Sequence, residues 1–242
     1  MKLLVALALV TALGAAAAPQ PVKIDRQSKL LDFTYEWPAE AAAIPALDKR
    51  FRADAAKAFA EARKYAEEDM ALTREQKRDY NQHFYAAGWE RFGQSKRLLS
   101  LGETVETFTG GAHPNHDFNA LVWDRQLGKE VAMHRLFAKP TAFGAVTRSA
   151  YCKTLDKERM DRREGEKLGG EFDECPKFAD LAIVPADKDG NGRFDRIDFI
   201  APPYVAGPYV EGEYEIELPV TTALIAALKP EYRPSFETQR GQ

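Results

Sequence analysis

Asp187 to Asp198 reads DKDGNGRFDRID, a run rich in hard oxygen donors. Asp187, Asp189, Asn191, Asp195 and Asp198 fall at places 1, 3, 5, 9 and 12 of a calcium loop. Gly192 takes place 6, where such a loop turns sharply, and Arg193 takes place 7, where a backbone carbonyl serves. Calcium prefers several oxygens at flexible distances, and this spacing can fold them toward one point. Asp198 stands where a longer glutamate usually supplies two oxygens, so the expected site is weak. Extracellular modules use calcium sites as weak as roughly 10⁻⁴ to 10⁻³ M. The same residues also fit a plain hairpin turn. Asp189-Gly190 and Asn191-Gly192 are common turn pairs, and the flanks read as strands rather than the helices of an EF-hand. A structural calcium is the one cofactor the sequence suggests.

The second group is His113, His116 and Asp117, which follow the doubled glycine Gly110-Gly111. Imidazole and carboxylate at this spacing could serve acid–base or metal chemistry, or could simply pack and hydrogen-bond at a turn. His83 and His134 stand alone. No nucleophile elbow, phosphate loop, dinucleotide fingerprint or paired-histidine zinc helix appears, so no residue is assigned a catalytic role. Glu211, Glu213, Glu215 and Glu217 alternate at strand spacing, as a solvated edge would. Ala206 to Tyr214 reads AGPYVEGEY, a shaped corner whose tyrosines either pack or face a partner.

These groups need a frame. Leu30 to Trp37 reads as a strand stopped by Pro38. Pro45 to Met70 is the clearest helix, with Leu47, Phe51, Ala55, Phe59 and Ala62 at helical spacing and Pro45 suited to its first turn. Asp79 to Phe92 is aromatic-rich and reads as a strand, with Gly88 as a candidate bulge. Leu98 to Phe108 and Phe118 to Asp124 flank the glycine corner, which gives three extended segments in an antiparallel meander. Further on come a helix from Thr141 to Leu155, strands at Leu181 to Pro185, Phe194 to Ile200 and Tyr214 to Leu218, and a short helix at Thr221 to Leu228. The fold class expected is α+β, with antiparallel sheets, a long N-terminal helix packed on one face and a second, smaller α+β sub-domain. The divisions expected are a signal peptide at 1–17, a flexible leader at 18–27, an N-terminal sub-domain at 28–127, a C-terminal sub-domain at 128–230 and a surface tail at 231–242.

The chain has 242 residues, 45% of them hydrophobic and 29% charged, which is an ordinary globular balance. Its net charge of −3 argues against a broad nucleic-acid-binding face. Lys2, the apolar run Leu3 to Leu13 and Ala15-Ala16-Ala17 have the layout of a cleaved secretory signal. The run is shorter than the roughly 20 apolar residues of a membrane-spanning anchor. The expected location is the periplasm or the exterior, with no membrane span after cleavage. There the two cysteines, Cys152 and Cys175, are most simply a disulfide rather than two buried thiols. Closing that loop stabilises by roughly 3 kcal/mol in the chain-entropy model.

Three stretches together resemble a known family. They are LSLGETVETFTGGAHPN (Leu99 to Asn115), WDRQLGKEV with Leu136-Phe137, and PYVAGPYVEGEYEIELP (Pro203 to Pro219). The chain resembles the RsiV-like domain of unknown function, found in the lysozyme-sensing anti-sigma factor and beside the deacetylase of PdaC-type peptidoglycan deacetylases. The resemblance implies an extracytoplasmic α+β module tied to the cell envelope, with an RsiV-like C-terminal sub-domain. It implies a lysozyme-like protein or peptidoglycan as partner, and the expected role is a non-catalytic binding module. No sigma-binding segment or metal-binding deacetylase signature accompanies it, so neither of those activities follows. The alternatives are a cell-envelope hydrolase with a site near His113 and a calcium-stabilised structural protein.

Overall fold

The structure, a computed structural model, describes residues 18–239. The expected signal peptide, 1–17, lies outside the described residues. Two sheets carry the fold. Strands β1 (Val22–Gln27), β2 (Leu31–Trp37), β3 (His83–Gln94), β4 (Leu98–Phe108), β5 (Asn115–Asp124) and β6 (Lys129–Glu130) form a six-stranded sheet in sequence order. Strands β7 (Ala182–Ala186), β8 (Arg196–Ala201) and β9 (Tyr214–Pro219) form a three-stranded antiparallel sheet. The short helix α1 (Ala39–Ala42) leads into the long helix α2 (Pro45–Glu75), and α3 (Ala142–Arg162) and α4 (Thr222–Ala227) belong to the second half. The mixed α+β class expected from the sequence is what the chain adopts.

Helix α2 begins with Pro45 in its first turn and Asp48 close behind, both favoured at a helix start. It buries Leu47, Phe51, Ala55 and Ala66 against Phe33, Trp37, Trp89 and Leu101 of the large sheet. Complete burial of a side chain such as Phe51 contributes about 2 kcal/mol. Its outer face is tied by i, i+4 ion pairs such as Arg52–Asp48 at 2.8 Å and Arg63–Glu67 at 2.8 Å. The helix also sets the topology. It returns the chain so that β2 and β3 pair in parallel, while β3, β4 and β5 form the expected antiparallel meander.

Several local expectations are corrected. The stretch 18–27 is not a flexible leader throughout, because Val22–Gln27 is paired along its length with β2. The irregularity in β3 lies between Arg91 and Gly93, not at Gly88. A Cβ on Gly93 would come within 2.7 Å of the Asp187 backbone nitrogen, which donates to the Phe92 carbonyl at 3.0 Å. The bulge therefore brings the large sheet against the acidic loop. The tail is not all surface either. Tyr232 and Phe236 are buried, and the Phe194 nitrogen donates to the Ser235 carbonyl while the Glu237 nitrogen donates to the Phe194 carbonyl. Helix α3 runs past Leu155 to Arg162, and its last turns are held by arginines rather than by an apolar stripe.

The second core lies between the small sheet and helices α3 and α4. Phe143, Tyr151 and Leu155 meet Ile197, Phe199, Tyr214 and Ile216 there. Cys152 and Cys175 form the expected disulfide, with Cα atoms 5.5 Å apart. Arg148 donates to the Cys175 carbonyl at 3.0 Å, so the tied loop is also bonded back to the helix.

Candidate functional site

The glycine corner between β4 and β5 has a physical reason for its first glycine. Gly110 has φ +81°, and a Cβ there would lie 3.3 Å from the Asp69 carboxylate. That carboxylate is 3.1 Å from the Nε2 of buried His83, whose ring stacks on Tyr80. His83 thus anchors the corner from beneath. Gly111 has open space around it, so only the first glycine is packed tightly.

From this base the corner presents His113 and His116. The His113 ring stacks on Tyr209 with centroids 3.9 Å apart, and its Nδ1 lies 2.8 Å from the Pro114 carbonyl oxygen. The Tyr209 hydroxyl donates to the same carbonyl at 2.8 Å. His116 lies 6.3 Å from the Tyr209 ring and 3.6 Å from the Glu106 carboxylate. Asp117 does not join them. Strand alternation points it to the opposite face of β5 from His116, where its carboxylate accepts from the Phe118 nitrogen at 2.8 Å. The tyrosine-rich corner completes the group, with Tyr204 and Tyr209 5.7 Å apart. Two corners 95 residues apart in the chain therefore form one surface. Tyr204 is 55% exposed and Val210 is 89% exposed.

Tyr204 also has φ +73°. A bulky residue in the left-handed region costs on the order of 1–3 kcal/mol, and such outliers gather at functional sites. The frame that holds it is a fan of arginines at the end of α3. Arg159 donates to the Ala206 carbonyl at 2.8 Å. Arg162 donates to the Glu211 and Glu213 carbonyls, each at 2.7 Å, and its guanidinium lies 4.0 Å over the Tyr214 ring. Arg163 pairs with Glu211 and with Asp173 of the disulfide-tied loop. Burial pushes the Glu211 carboxyl up, but Arg163 and the Tyr214 hydroxyl outweigh it and hold it below the usual range. Glu211 is therefore a structural partner and not part of a solvated edge. The fan was not foreseen from the sequence. Its only trace there is the spacing of Arg159, Arg162 and Arg163, beyond Leu155, the last buried apolar residue of the helix.

The six calcium candidates are placed differently. Asp187 accepts from the Asn191 nitrogen at 3.1 Å and the Gly192 nitrogen at 2.9 Å. Asp189 accepts from the Asn191 nitrogen at 3.2 Å and from its side-chain amide at 2.9 Å. Asp195 accepts from the Lys188 nitrogen at 3.0 Å. Arg193 reaches away to the Phe236 carbonyl and lies 3.3 Å from Glu237. Asp198 stands within β8, opposite Glu217 of β9. Both Asp187 oxygens, and one oxygen each of Asp189 and Asp195, are thus spent on the loop's own backbone. Among the described residues, no three acids, histidines or cysteines are grouped to hold a metal.

Asp198 is 5% exposed, and its Oδ1 has no hydrogen-bond partner. Burial first, then Glu217 and Glu215, push its carboxyl up to about 7. The unfolded chain releases that proton near pH 3.9, so between there and pH 7 the folded state holds more protons. Stability from this group therefore falls as pH rises through that window, and the penalty is full above it. Asp198→Asn is expected to raise stability at pH 8 by on the order of 3 kcal/mol and to flatten the slope between pH 4 and 7. Urea melts across pH check this. A calcium-dependent rise in melting temperature that the Asn variant lacks would instead return Asp198 to the ligand set.

Comparison with known proteins adds the following. A family model described as deacetylase PdaC matches residues 24–116, which run from β1 to His116 in the corner. The chain is similar to a solved DUF3298-family protein of Bacteroides fragilis, with a TM-score of 0.55 and 14% identity over 89% of this chain and 95% of that one. It is similar to a DUF3298-family protein of Pseudomonas aeruginosa, with a TM-score of 0.53 and 15% identity over 91% of this chain and 98% of that one. At these identities the likeness shows the fold. No curated protein matches the chain. The expected link to PdaC-type proteins is met in part, over residues 24–116, and the match does not extend to the C-terminal half where the RsiV-like sub-domain was expected.

Proposed function

We propose that the chain is an exported, non-catalytic binding module of the RsiV-like type, which takes a lysozyme-like protein or cell-wall glycan on its histidine–tyrosine corner. The observation that carries this is the joining of the two corners, with Tyr209 stacked on His113 and Tyr204 held exposed in a strained conformation. Tyrosine offers a large rigid face with a polar tip, which suits both a protein partner and a sugar ring. The disulfide fits an oxidising compartment. Among the described residues no helix is long and apolar enough to cross a membrane.

The hydrolase alternative places the same histidines in a reaction. Against it, His113 Nδ1 faces a backbone carbonyl and its ring face is covered by Tyr209. Neither His113 nor His116 lines the clefts of about 580 and 590 Å³ elsewhere on the molecule.

Binding of the purified protein to a c-type lysozyme and to peptidoglycan fragments tests the reading, by calorimetry or surface plasmon resonance. Tyr209→Ala is expected to weaken binding at least tenfold, a loss of about 1.4 kcal/mol or more. Absence of binding to both probes removes the reading. Release of acetate or of glycan fragments by the wild-type protein, lost in His113→Ala, replaces it with the hydrolase.

A further inference from the structure

Strand β1 is an end strand of the six-stranded sheet. Among the described residues, none of 22–27 makes a backbone hydrogen bond outside its pairing with β2. Its far edge therefore presents free N–H and C=O groups, the usual template for adding another strand. Lys23, Asp25, Arg26 and Gln27 are exposed, while Val22 and Ile24 are half-buried. Strand alternation sorts these residues. Val22 and Ile24 pack against the core under α2, and the Arg26 guanidinium lies 4.2 Å over the Phe59 ring on that same side. Lys23, Asp25 and Gln27 point to the opposite face. The core layer thus stops at a half-covered apolar border formed by Val22 and Ile24.

We infer that β1 pairs antiparallel with β1 of a second copy, about a two-fold axis at Ile24, so that two six-stranded sheets join edge to edge. The charges choose this register. With the axis at Ile24, Ile24 meets Ile24 and Val22 meets Arg26 on the helix side, while on the other face Lys23 meets Asp25 twice by symmetry. Opposite charges placed directly across a sheet are favourable and like charges are not. A slip that moves the axis to Lys23 sets two lysines face to face, and one that moves it to Asp25 does the same to two aspartates. An odd slip opposes residues of different faces and would put the two α2 layers on opposite sides, which separates the apolar borders. A second copy with its helices on the same side is the occupant that covers Val22 and Ile24 and satisfies Lys23 and Asp25 at once.

Light scattering and analytical sedimentation of the purified protein over a concentration series test this, with no partner present. The wild type is expected to be a reversible dimer. Asp25→Lys sets a second lysine opposite Lys23 and is expected to raise the dissociation constant on the order of tenfold, from two lost pairs and two repulsive ones. It is the cleaner single change, because within its own sheet Asp25 lies across from Thr34, whereas Lys23 lies across from Glu36. Adding Lys23→Glu swaps the pair and is expected to bring the constant back to within about threefold of wild type. Melting curves of each variant separate a lost strand from a lost contact. A wild type that stays monomeric, a dimer indifferent to Asp25→Lys, or a double variant that fails to recover each overturns the inference.

Discussion

Replacing Asp124 with alanine is expected to destabilise the fold by about 4 kcal/mol, read as a fall of roughly 10 °C in melting temperature. Asp124 ends β5 and is 0% exposed. One carboxylate oxygen takes Arg97 Nε at 2.9 Å, Arg97 Nη2 at 2.8 Å and the Tyr232 hydroxyl at 3.1 Å. The other takes the backbone nitrogens of Gln126 at 2.9 Å and Leu127 at 3.1 Å, which shapes the turn into β6. The Arg97 guanidinium also lies 4.3 Å over the Tyr232 ring. Alanine would leave a guanidinium, a hydroxyl and two N–H groups without their acceptor, and an unpaired buried charge is the costly outcome. Asp124→Asn keeps an acceptor for the turn and is expected to fall between the two.

The same site predicts its own pH dependence. Burial pushes the Asp124 carboxyl up, but Arg97 and the Leu127 and Gln126 nitrogens outweigh burial and hold it below the ordinary range. Its folded value is therefore depressed below the unfolded one, near 3.9. The stabilisation is fully present above that pH and is lost as pH falls through the folded value. The gap between wild type and Asp124→Ala is expected to be wide at pH 7 and to shrink below about pH 4, measured by denaturant melts. A gap that stays constant would mean the charge contributes nothing and the loss is only packing.

What the sequence made legible follows from how local each signal was. Leu98–Phe108 was readable to the residue because the glycine corner Gly110-Gly111 stops the strand just past Phe108. Pro45 and the spacing of Leu47, Phe51 and Ala55 likewise located the long helix. The β1 strand was hidden because an end strand exposes most of its side chains, so VKIDRQ looks like a polar leader. Phe236 was hidden for a related reason, as one aromatic among polar neighbours and prolines gives no period, and its burial depends on Phe194. The parallel pairing of β2 with β3 has no local signature and arises because α2 lies between them. The glycine and tyrosine corners were each visible as unusual stretches, but their meeting depends on how two sheets pack, which no spacing within either stretch encodes. Arg163 carries no local signal, because its partners, Glu211 and Asp173, come from other segments.

That arginine supplies the strongest test of whether the corner is held in place rather than merely adjacent. Arg163 meets Glu211 with two parallel bonds, at 2.9 Å from Nε and 3.0 Å from Nη2, and meets Asp173 at 2.8 Å from Nη1. Fork-to-fork pairing of this kind fixes direction as well as distance. Glu211 ends the short turn that begins with Tyr209, and Asp173 sits in the loop that Cys175 ties to α3. The guanidinium therefore joins the helix, the disulfide loop and the tyrosine corner at one point. Arg163→Met is expected to cost about 4 kcal/mol, because a mostly buried carboxylate loses its counter-charge. Arg163→Met with Glu211→Leu is expected to recover more than half of that loss, since replacing both partners removes the stranded charge. Stability alone would not separate a packing defect from a lost support, so the second readout is the corner itself. The ring-current shift that Tyr209 imposes on His113 is expected to collapse in the single variant and to stay reduced in the double variant, with binding weakened in parallel. If the shift survives in both while stability falls, the arginine fan holds the core and the histidine–tyrosine surface stands without it.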